Sequence, residues 1–446
     1  MPLTRRAILG TGAAVAAAAI TGCARDEPTA LWRDAGATAE PGAGAVARPS
    51  GSPSPSPSPS ATRRPPPTGA PYTAKLTSTL QRYLKPTAEN PNHPTYAGAV
   101  ALVMVNGKVT AHVAVGHALR YGAGPVELPD AKRVAMRPDS IFDLASLTKV
   151  YTSILLLQQV ERGKVDLDAP VVDYLPGFTG AGKSAVTVRM LLTHTSGLPV
   201  GAKISTVSGL SARRAAVLAT PLLSGATPGD TFRYSSTGLL VAAQLVEKVT
   251  GKGLDAALRA GITGPLGLRD TGFNPLGWLS ASAKSGRLVA TDARSSRGLL
   301  RGVVHDDVTN QLGGVAGSAG VFASAADVAA VGQALLSGGG RLLKAGTVKA
   351  MLTNYNKGLP AIDPDRPGRP SDHGLGVTLR QPWFMGRLSA ASTFGHTGFT
   401  GTSLLVEPRR KLVLVLLTNR AHPNWSWANP DPMRAAVANV LADALS

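Results

Sequence analysis

Ser146-Leu147-Thr148-Lys149 sets a hydroxyl and an amine three residues apart, and on a helix residues at that spacing share a face. The pairing is that of a serine nucleophile with a lysine base. A lysine amine in water holds its proton to a pKa of about 10.4, so it accepts a proton near neutral pH only where burial disfavours its charge. Leu147, Val150, Tyr151, Ile154, Leu155 and Leu157 supply that burial, covering nearly every side of the helix. Alone the spacing is a weak signal, because Ser and Lys meet it by chance in most chains of this length. Two further clusters strengthen it: Tyr234-Ser235-Ser236 just before a helix, and His396-Thr397-Gly398 at a strand edge leading into Gly401.

Taken in order, Phe142-Asp143-Leu144-Ala145-Ser146-Leu147-Thr148-Lys149, Leu191-Leu192-Thr193-His194-Thr195-Ser196-Gly197-Leu198, Phe232-Arg233-Tyr234-Ser235 and Gly395-His396-Thr397-Gly398 resemble the class C β-lactamase and DD-peptidase superfamily. Val304-His305-Asp306 with Gly313-Gly314-Val315-Ala316-Gly317 resembles a subset of it. The resemblance implies that Ser146 attacks an acyl carbonyl and that Lys149 and Tyr234 carry its proton. It further implies that the backbone amides of Ser146 and Phe399 form the oxyanion hole, with Ser236, His396, Thr397 and Gly398 meeting the substrate.

Two positions depart from the commoner family pattern. Ser236 stands where Asn is frequent, and one hydroxyl cannot replace an amide that both donates and accepts. His396 stands where Lys is frequent, and a neutral imidazole holds a substrate carboxylate less strongly than an ammonium. Both changes count against efficient β-lactam hydrolysis and leave peptidase and esterase activity open.

Other residues invite weaker readings. His194, His305 and Asp306 are read as hydrogen-bonding residues of loops rather than as catalysts. Gly177-Phe178-Thr179-Gly180-Ala181-Gly182-Lys183-Ser184 fits the phosphate-loop pattern letter for letter. That motif requires a buried strand before it and a helix after it, whereas Tyr174-Leu175-Pro176 precedes it and Ala185-Val186-Thr187-Val188 follows. A flexible glycine-rich loop is the expectation there. No G-x-S-x-G elbow and no H-E-x-x-H pair occurs anywhere in the chain.

The elements that position these groups are legible from the pattern. Ala97 to Val105 and Lys108 to Gly116 are apolar runs around Asn106-Gly107, the dipeptide favoured by type I′ hairpins. Gly401 to Val406 and Lys411 to Thr418 flank Glu407-Pro408-Arg409-Arg410, and the second run is apolar on both faces, as a central strand must be. Asp431 is expected to cap a final helix with Pro432 at its first position. Helices are expected from Ser146 to Arg162 and from Gly238 to Thr250, the latter stopping at Gly251.

The N-terminal part of the chain reads as a targeting segment. Arg5-Arg6 precede a mild Ala/Gly-rich apolar stretch ending in Ile20-Thr21-Gly22-Cys23, which resembles a twin-arginine signal with a lipobox, lipidated at Cys23. From Ala24 to about Pro71 the chain is Ala, Gly, Pro and Ser, with an alternating Ser-Pro repeat from Ser52 to Ser60. Such a segment buries too little apolar surface to fold and forms an extended tether, reaching up to about 150 Å at roughly 3.1 Å per residue. Cys23 is the only cysteine, which excludes an intramolecular disulfide and any Cys-based metal site. Lys and Arg number 46 against 27 Asp and Glu, a formal charge of +19. The basic residues are scattered, so an anionic wall or membrane surface is a better partner than nucleic acid, which is not expected.

Together these readings describe residues 1–23 as signal peptide, 24–71 as tether and 72–446 as one hydrolase domain. The fold expected is α/β, β-lactamase-like: an antiparallel sheet flanked by helices, from about 72–140 plus 310–446, with an all-α lobe inserted at about 141–309. The function expected is that of an exported, membrane-anchored serine hydrolase acting through an acyl-enzyme on small esters or D-alanyl peptides of peptidoglycan. A D-alanyl-D-alanine carboxypeptidase proper, a weak β-lactamase, an acyltransferase and a slowly acylating penicillin-binding sensor are the alternatives. No metal or cofactor is implied, and a monomer is expected.

Overall fold

Alternating apolar side chains at the two ends of the folded region meet in one sheet. The computed structural model describes residues 69–294 and 297–446; the signal segment, Cys23 and nearly all of the tether lie outside the described residues. Seven strands form the main sheet: β1 Gly98–Val105, β2 Lys108–Leu119, β3 Val134–Ala135, β4 Thr378–Leu379, β5 Phe394–Thr397, β6 Ser403–Glu407 and β7 Leu412–Thr418. Their spatial order is β4-β5-β6-β7-β1-β2-β3, antiparallel throughout.

The β1–β2 hairpin turns at Asn106 and Gly107, with φ of 51° and 74°, the double left-handed conformation that a type I′ turn demands. Strand β7 is central and buried on both faces. Leu412, Leu414 and Leu416 pack on one side with Leu76 and Leu80 of helix α1 (Thr73–Arg82) and Met433, Val437 and Leu441 of the C-terminal helix. Val413, Val415 and Leu417 face the other way, into a larger core that joins the sheet to the helices between the chain ends.

That larger core is organised around helix α2 (Thr148–Glu161), where twelve of fourteen residues are buried, Lys149 among them. A helix apolar all round belongs inside a core rather than on its surface. Helix α3 (Ser236–Thr250) packs beside it, and helix α4 (Ala325–Leu336) packs on the main sheet with Val328, Val331 and Leu335 in the same core. A second sheet of three short strands joins Ile141–Asp143, Val321–Ser324 and Gly272–Phe273.

Several boundaries differ from expectation. Helix α3 begins at Ser236 rather than Gly238, because the Ser235 hydroxyl accepts the Gly238 N–H at 3.0 Å and caps it. The last helix, α5 (Asp431–Ala444), starts with Asp431 as its first residue and Pro432 as its second. Asp431 does not cap it: its carboxylate takes Arg366 at 2.8 Å and Arg434 at 2.9 Å instead. The glycine-rich stretch resembling a phosphate loop is a packed turn. Helix Val171–Tyr174 precedes it rather than a strand, and a 3-10 turn spans Lys183–Ala185. Lys183 is fully buried, donates to the Leu218 carbonyl at 2.5 Å and lies 4.4 Å over the Phe178 ring, with burial lowering its pKa to about 8. Its ammonium serves packing and is closed to a phosphate. Among the described residues no helix is long and apolar enough to cross a membrane.

Candidate active site

Ser146, the expected nucleophile, sits on a strained turn. Ser146 lies in a 3-10 turn, Ala145–Leu147, that runs directly into α2. The residue before it, Ala145, holds φ at +47°, a left-handed conformation that costs a non-glycine residue on the order of 1–2 kcal/mol. Asp143 sustains it. One carboxylate oxygen accepts the Ala145 N–H at 2.8 Å and the other accepts the His305 N–H at 2.7 Å. The buried Asp143 carboxyl has its pKa raised by desolvation, against which those two amides act.

Lys149 follows one turn later, 1% exposed. Its Nζ lies 2.9 Å from Ser146 Oγ and donates to the Ser318 carbonyl at 2.9 Å. The segment 317–321 runs along α2 and is stitched to it by Thr152, whose hydroxyl donates to the Gly317 carbonyl, and by Thr148, whose hydroxyl accepts the Val321 N–H. Gly317 lets the same segment press against α3 as well, since a Cβ there would lie 2.2 Å from the Leu239 carbonyl oxygen.

The strand edge bearing His396, Thr397 and Gly398 closes on the same turn. A Cβ on Gly398 would lie 2.3 Å from the Leu144 carbonyl oxygen and 2.1 Å from Thr402 Oγ1, so only glycine fits. Thr400 and Thr402 donate their hydroxyls to the carbonyls of Asp143 and Leu144, at 2.8 and 2.9 Å. The loop is pinned from behind by Arg434, 3% exposed, which donates to the carbonyls of Gly398 and Thr402. The Phe399 N–H donates to no described residue, which suits an amide that waits for an oxyanion.

Tyr234 presents its ring to Lys149, whose Nζ is 5.0 Å from the ring centroid. The hydroxyls of Tyr234, Ser236 and Thr397 hydrogen-bond to no described residue, and none of the three residues is fully buried. They are open to an incoming substrate. His396 is buried; its Nδ1 donates to the Thr397 carbonyl at 2.8 Å, leaving Nε2 as an unpartnered acceptor.

His396 is one of three buried imidazoles here. His194 accepts the Ser235 N–H at Nδ1 and lies 4.7 Å from the Tyr234 ring; His373 donates from Nδ1 to the Gly374 carbonyl and lies 4.8 Å from His194. Burial drives all three below the ordinary histidine range, His373 to about 3. The Arg369 guanidinium adds to the effect at all three. A neutral imidazole at 396 is therefore the resting state.

His305 lies 3.2 Å from Asp292, and Asp306 caps the helix Asp307–Gln311 by accepting the Thr309 N–H. Sequence reasoning assigned no role to Asp143, although it lies in the run around Ser146, nor to Ser318, His373, Thr400, Thr402 and Arg434. Only Asp143 left a local signal, an acid in an otherwise apolar strand. A cavity of about 340 Å³ lies elsewhere, at the far end of α2 against Arg162 and Lys252, and touches none of these groups.

The Beta-lactamase family model matches residues 80–439. A putative D-alanyl-D-alanine carboxypeptidase of Escherichia coli K12 is 30% identical over 366 residues, covering 73% of this chain and 79% of that protein. An N-acetylmuramyl-L-alanine amidase of Bacillus subtilis 168 is 29% identical over 353 residues, covering 73% and 78%. Two solved structures share the fold. EstCE1, a hydrolase with promiscuous acyltransferase activity, superposes with a TM-score of 0.59 at 22% identity over 82% of this chain and 98% of its own. A penicillin-binding protein homologue from Caulobacter crescentus superposes with a TM-score of 0.61 at 21% identity over 84% and 98%.

Proposed function

Because this chain belongs to the Beta-lactamase family and is a serine hydrolase of the penicillin-binding-protein type, we propose that it transfers acyl groups through an ester on Ser146, from small esters or D-alanyl peptides. The observation that carries the proposal is the 2.9 Å separation of Lys149 Nζ and Ser146 Oγ at the mouth of a buried helix. Ser146 Oγ bonds to the acyl carbon and its proton passes to Lys149. The amides of Ser146 and Phe399 take the oxyanion. The bond to the leaving group breaks, and that group departs with the proton, relayed by Lys149 and Tyr234. Water then attacks the ester carbon and gives a proton to the same base; the acyl–Oγ bond breaks, the acid departs and that proton returns to Ser146 Oγ.

The neutral, buried His396 favours esters and weakly charged peptides over substrates gripped by a carboxylate. Exposing the purified chain to a fluorophosphonate should add one adduct mass, mapped to Ser146 and absent in Ser146→Ala. Labelling that persists in Ser146→Ala removes the mechanism. A panel of p-nitrophenyl esters, D-alanyl peptides and a penicillin then separates esterase, carboxypeptidase and β-lactamase, and added alcohol or amine acceptors expose transfer.

The same reading includes export and a lipid on Cys23, holding a monomeric hydrolase outside the cytoplasmic membrane on its proline-rich tether. Cys23→Ala should release the protein from the membrane fraction or leave it unprocessed. A variant still membrane-bound without lipid overturns the anchor.

A further inference from the structure

Phe399 carries two different parts of the site on one residue. On the acyl-transfer reading its amide takes the oxyanion, and its neighbours Gly398 and Thr400 abut the Leu144 and Asp143 carbonyls of the Ser146 turn, so its side chain stands beside any carbonyl bound there. Phe399 is 46% exposed and has three packed neighbours. Arg420 lies over it at 4.7 Å and donates to the Phe399 carbonyl at 3.1 Å. The His305 ring lies 5.5 Å away, and the Trp425 ring, itself 37% exposed, lies 5.5 Å away. A packed, exposed aromatic pair beside a reactive centre is a binding surface rather than a stray surface apolar residue.

The two sides of the scissile carbonyl are distinguishable. A leaving group must take its proton from Lys149 or Tyr234, so it lies on their side. Phe399 has His305, Arg420 and Trp425 as its ring neighbours, and Tyr234 has His194, His396 and Lys149. The two rings share no neighbour, and the acyl substituent, pointing away from the leaving group, is assigned to the Phe399 side.

We infer that Phe399 and Trp425 form a shelf for an aromatic or bulky apolar acyl group, which makes arylacetyl and related acyl donors the preferred substrates. The inference rests on the acyl-transfer reading above and assigns its acyl-side specificity. The ester's oxygens and the covalent steps are unchanged; only the substituent on the acyl carbon is specified.

The test compares p-nitrophenyl phenylacetate with p-nitrophenyl acetate, which share a leaving group, each kcat/KM being divided by that ester's rate with hydroxide. The wild type should prefer phenylacetate by about tenfold or more. Trp425→Ala should lower that preference by about fivefold, and Phe399→Ala, which keeps the backbone amide, by about tenfold. A preference measured within one protein cancels any loss of folded enzyme. A normalised ratio near one in the wild type, or a ratio unchanged in both variants, overturns the shelf while leaving acyl transfer intact. Absence of turnover of both esters together with absence of Ser146 labelling overturns the acyl-transfer reading itself.

Discussion

Lys149 Nζ lies 2.9 Å from Ser146 Oγ, and the helix that carries the lysine leaves it only 1% exposed. Among the described residues the amine has one other hydrogen-bond partner, the Ser318 carbonyl, which orients it toward the hydroxyl. Lys149→Ala should cut ester turnover by about a hundredfold or more, the scale of a lost proton acceptor. Tyr234→Phe keeps the ring beneath the amine and removes only the hydroxyl, so a similar loss there assigns the effect to proton transfer. Steady-state rates on a p-nitrophenyl ester decide it, and undiminished turnover in Lys149→Ala would falsify the base assignment.

Gly398 lets the His-Thr-Gly edge close on the Ser146 turn. In Gly398→Ala the new Cβ must push away the Leu144 carbonyl, separating the Phe399 amide from the Ser146 amide. Turnover should fall about a hundredfold, as when one oxyanion donor is lost, with the main sheet intact by far-ultraviolet circular dichroism. A fully active Gly398→Ala protein would show that the two amides do not act together.

Asp143 holds Ala145 in its left-handed conformation. Asp143→Ala leaves the buried N–H groups of Ala145 and His305 without their acceptors, which should cost about 2–4 kcal/mol in urea unfolding. Fluorophosphonate labelling of Ser146 should slow as well. Asp143→Asn keeps one acceptor oxygen and should lie between the two. Equal stability of wild type and Asp143→Ala would contradict this role.

The buried histidines set a pH window. His373 and His422 have folded pKa values pushed by burial to about 3, below the unfolded value near 6.5. The unfolded chain thus binds protons that the folded one refuses. Stability is complete above about pH 6.5 and declines as pH falls toward 3, by up to about 1.4 kcal/mol per pH unit for each such histidine. Urea midpoints between pH 8 and pH 4.5 should be flat at first and then fall, and His373→Phe should shallow the decline. A midpoint that rises on acidification would be incompatible with neutral buried imidazoles.

The hairpin at Asn106-Gly107, the doubly buried strand β7 and the helix after Ser146 were all legible in sequence, because each depends on a local periodicity or on a turn dipeptide. Ends were less so. The α3 start depended on which serine hydroxyl reached an amide, and the α5 start on Asp431 preferring two arginines to a capping role. At Lys183 the missing strand and helix of a phosphate loop were legible, but the burial of the turn was not, since a glycine-rich letter pattern says nothing about what packs over it.

The amino-acid sequence by itself determined that Ser146 and Lys149 stand three apart, and the 3-10 turn running into α2 keeps them on one face. It also determined that Tyr234 and His396 follow in family order. Only the tertiary structure decided what surrounds them. Asp143 meets His305 across 162 positions, Lys149 meets Ser318 across 169, and Thr402 meets the Leu144 carbonyl across 258. No local pattern encodes such contacts. They exist because antiparallel strands from both chain ends and an interior helix share one core, whose packing alone sets which distant backbone groups come within hydrogen-bond reach.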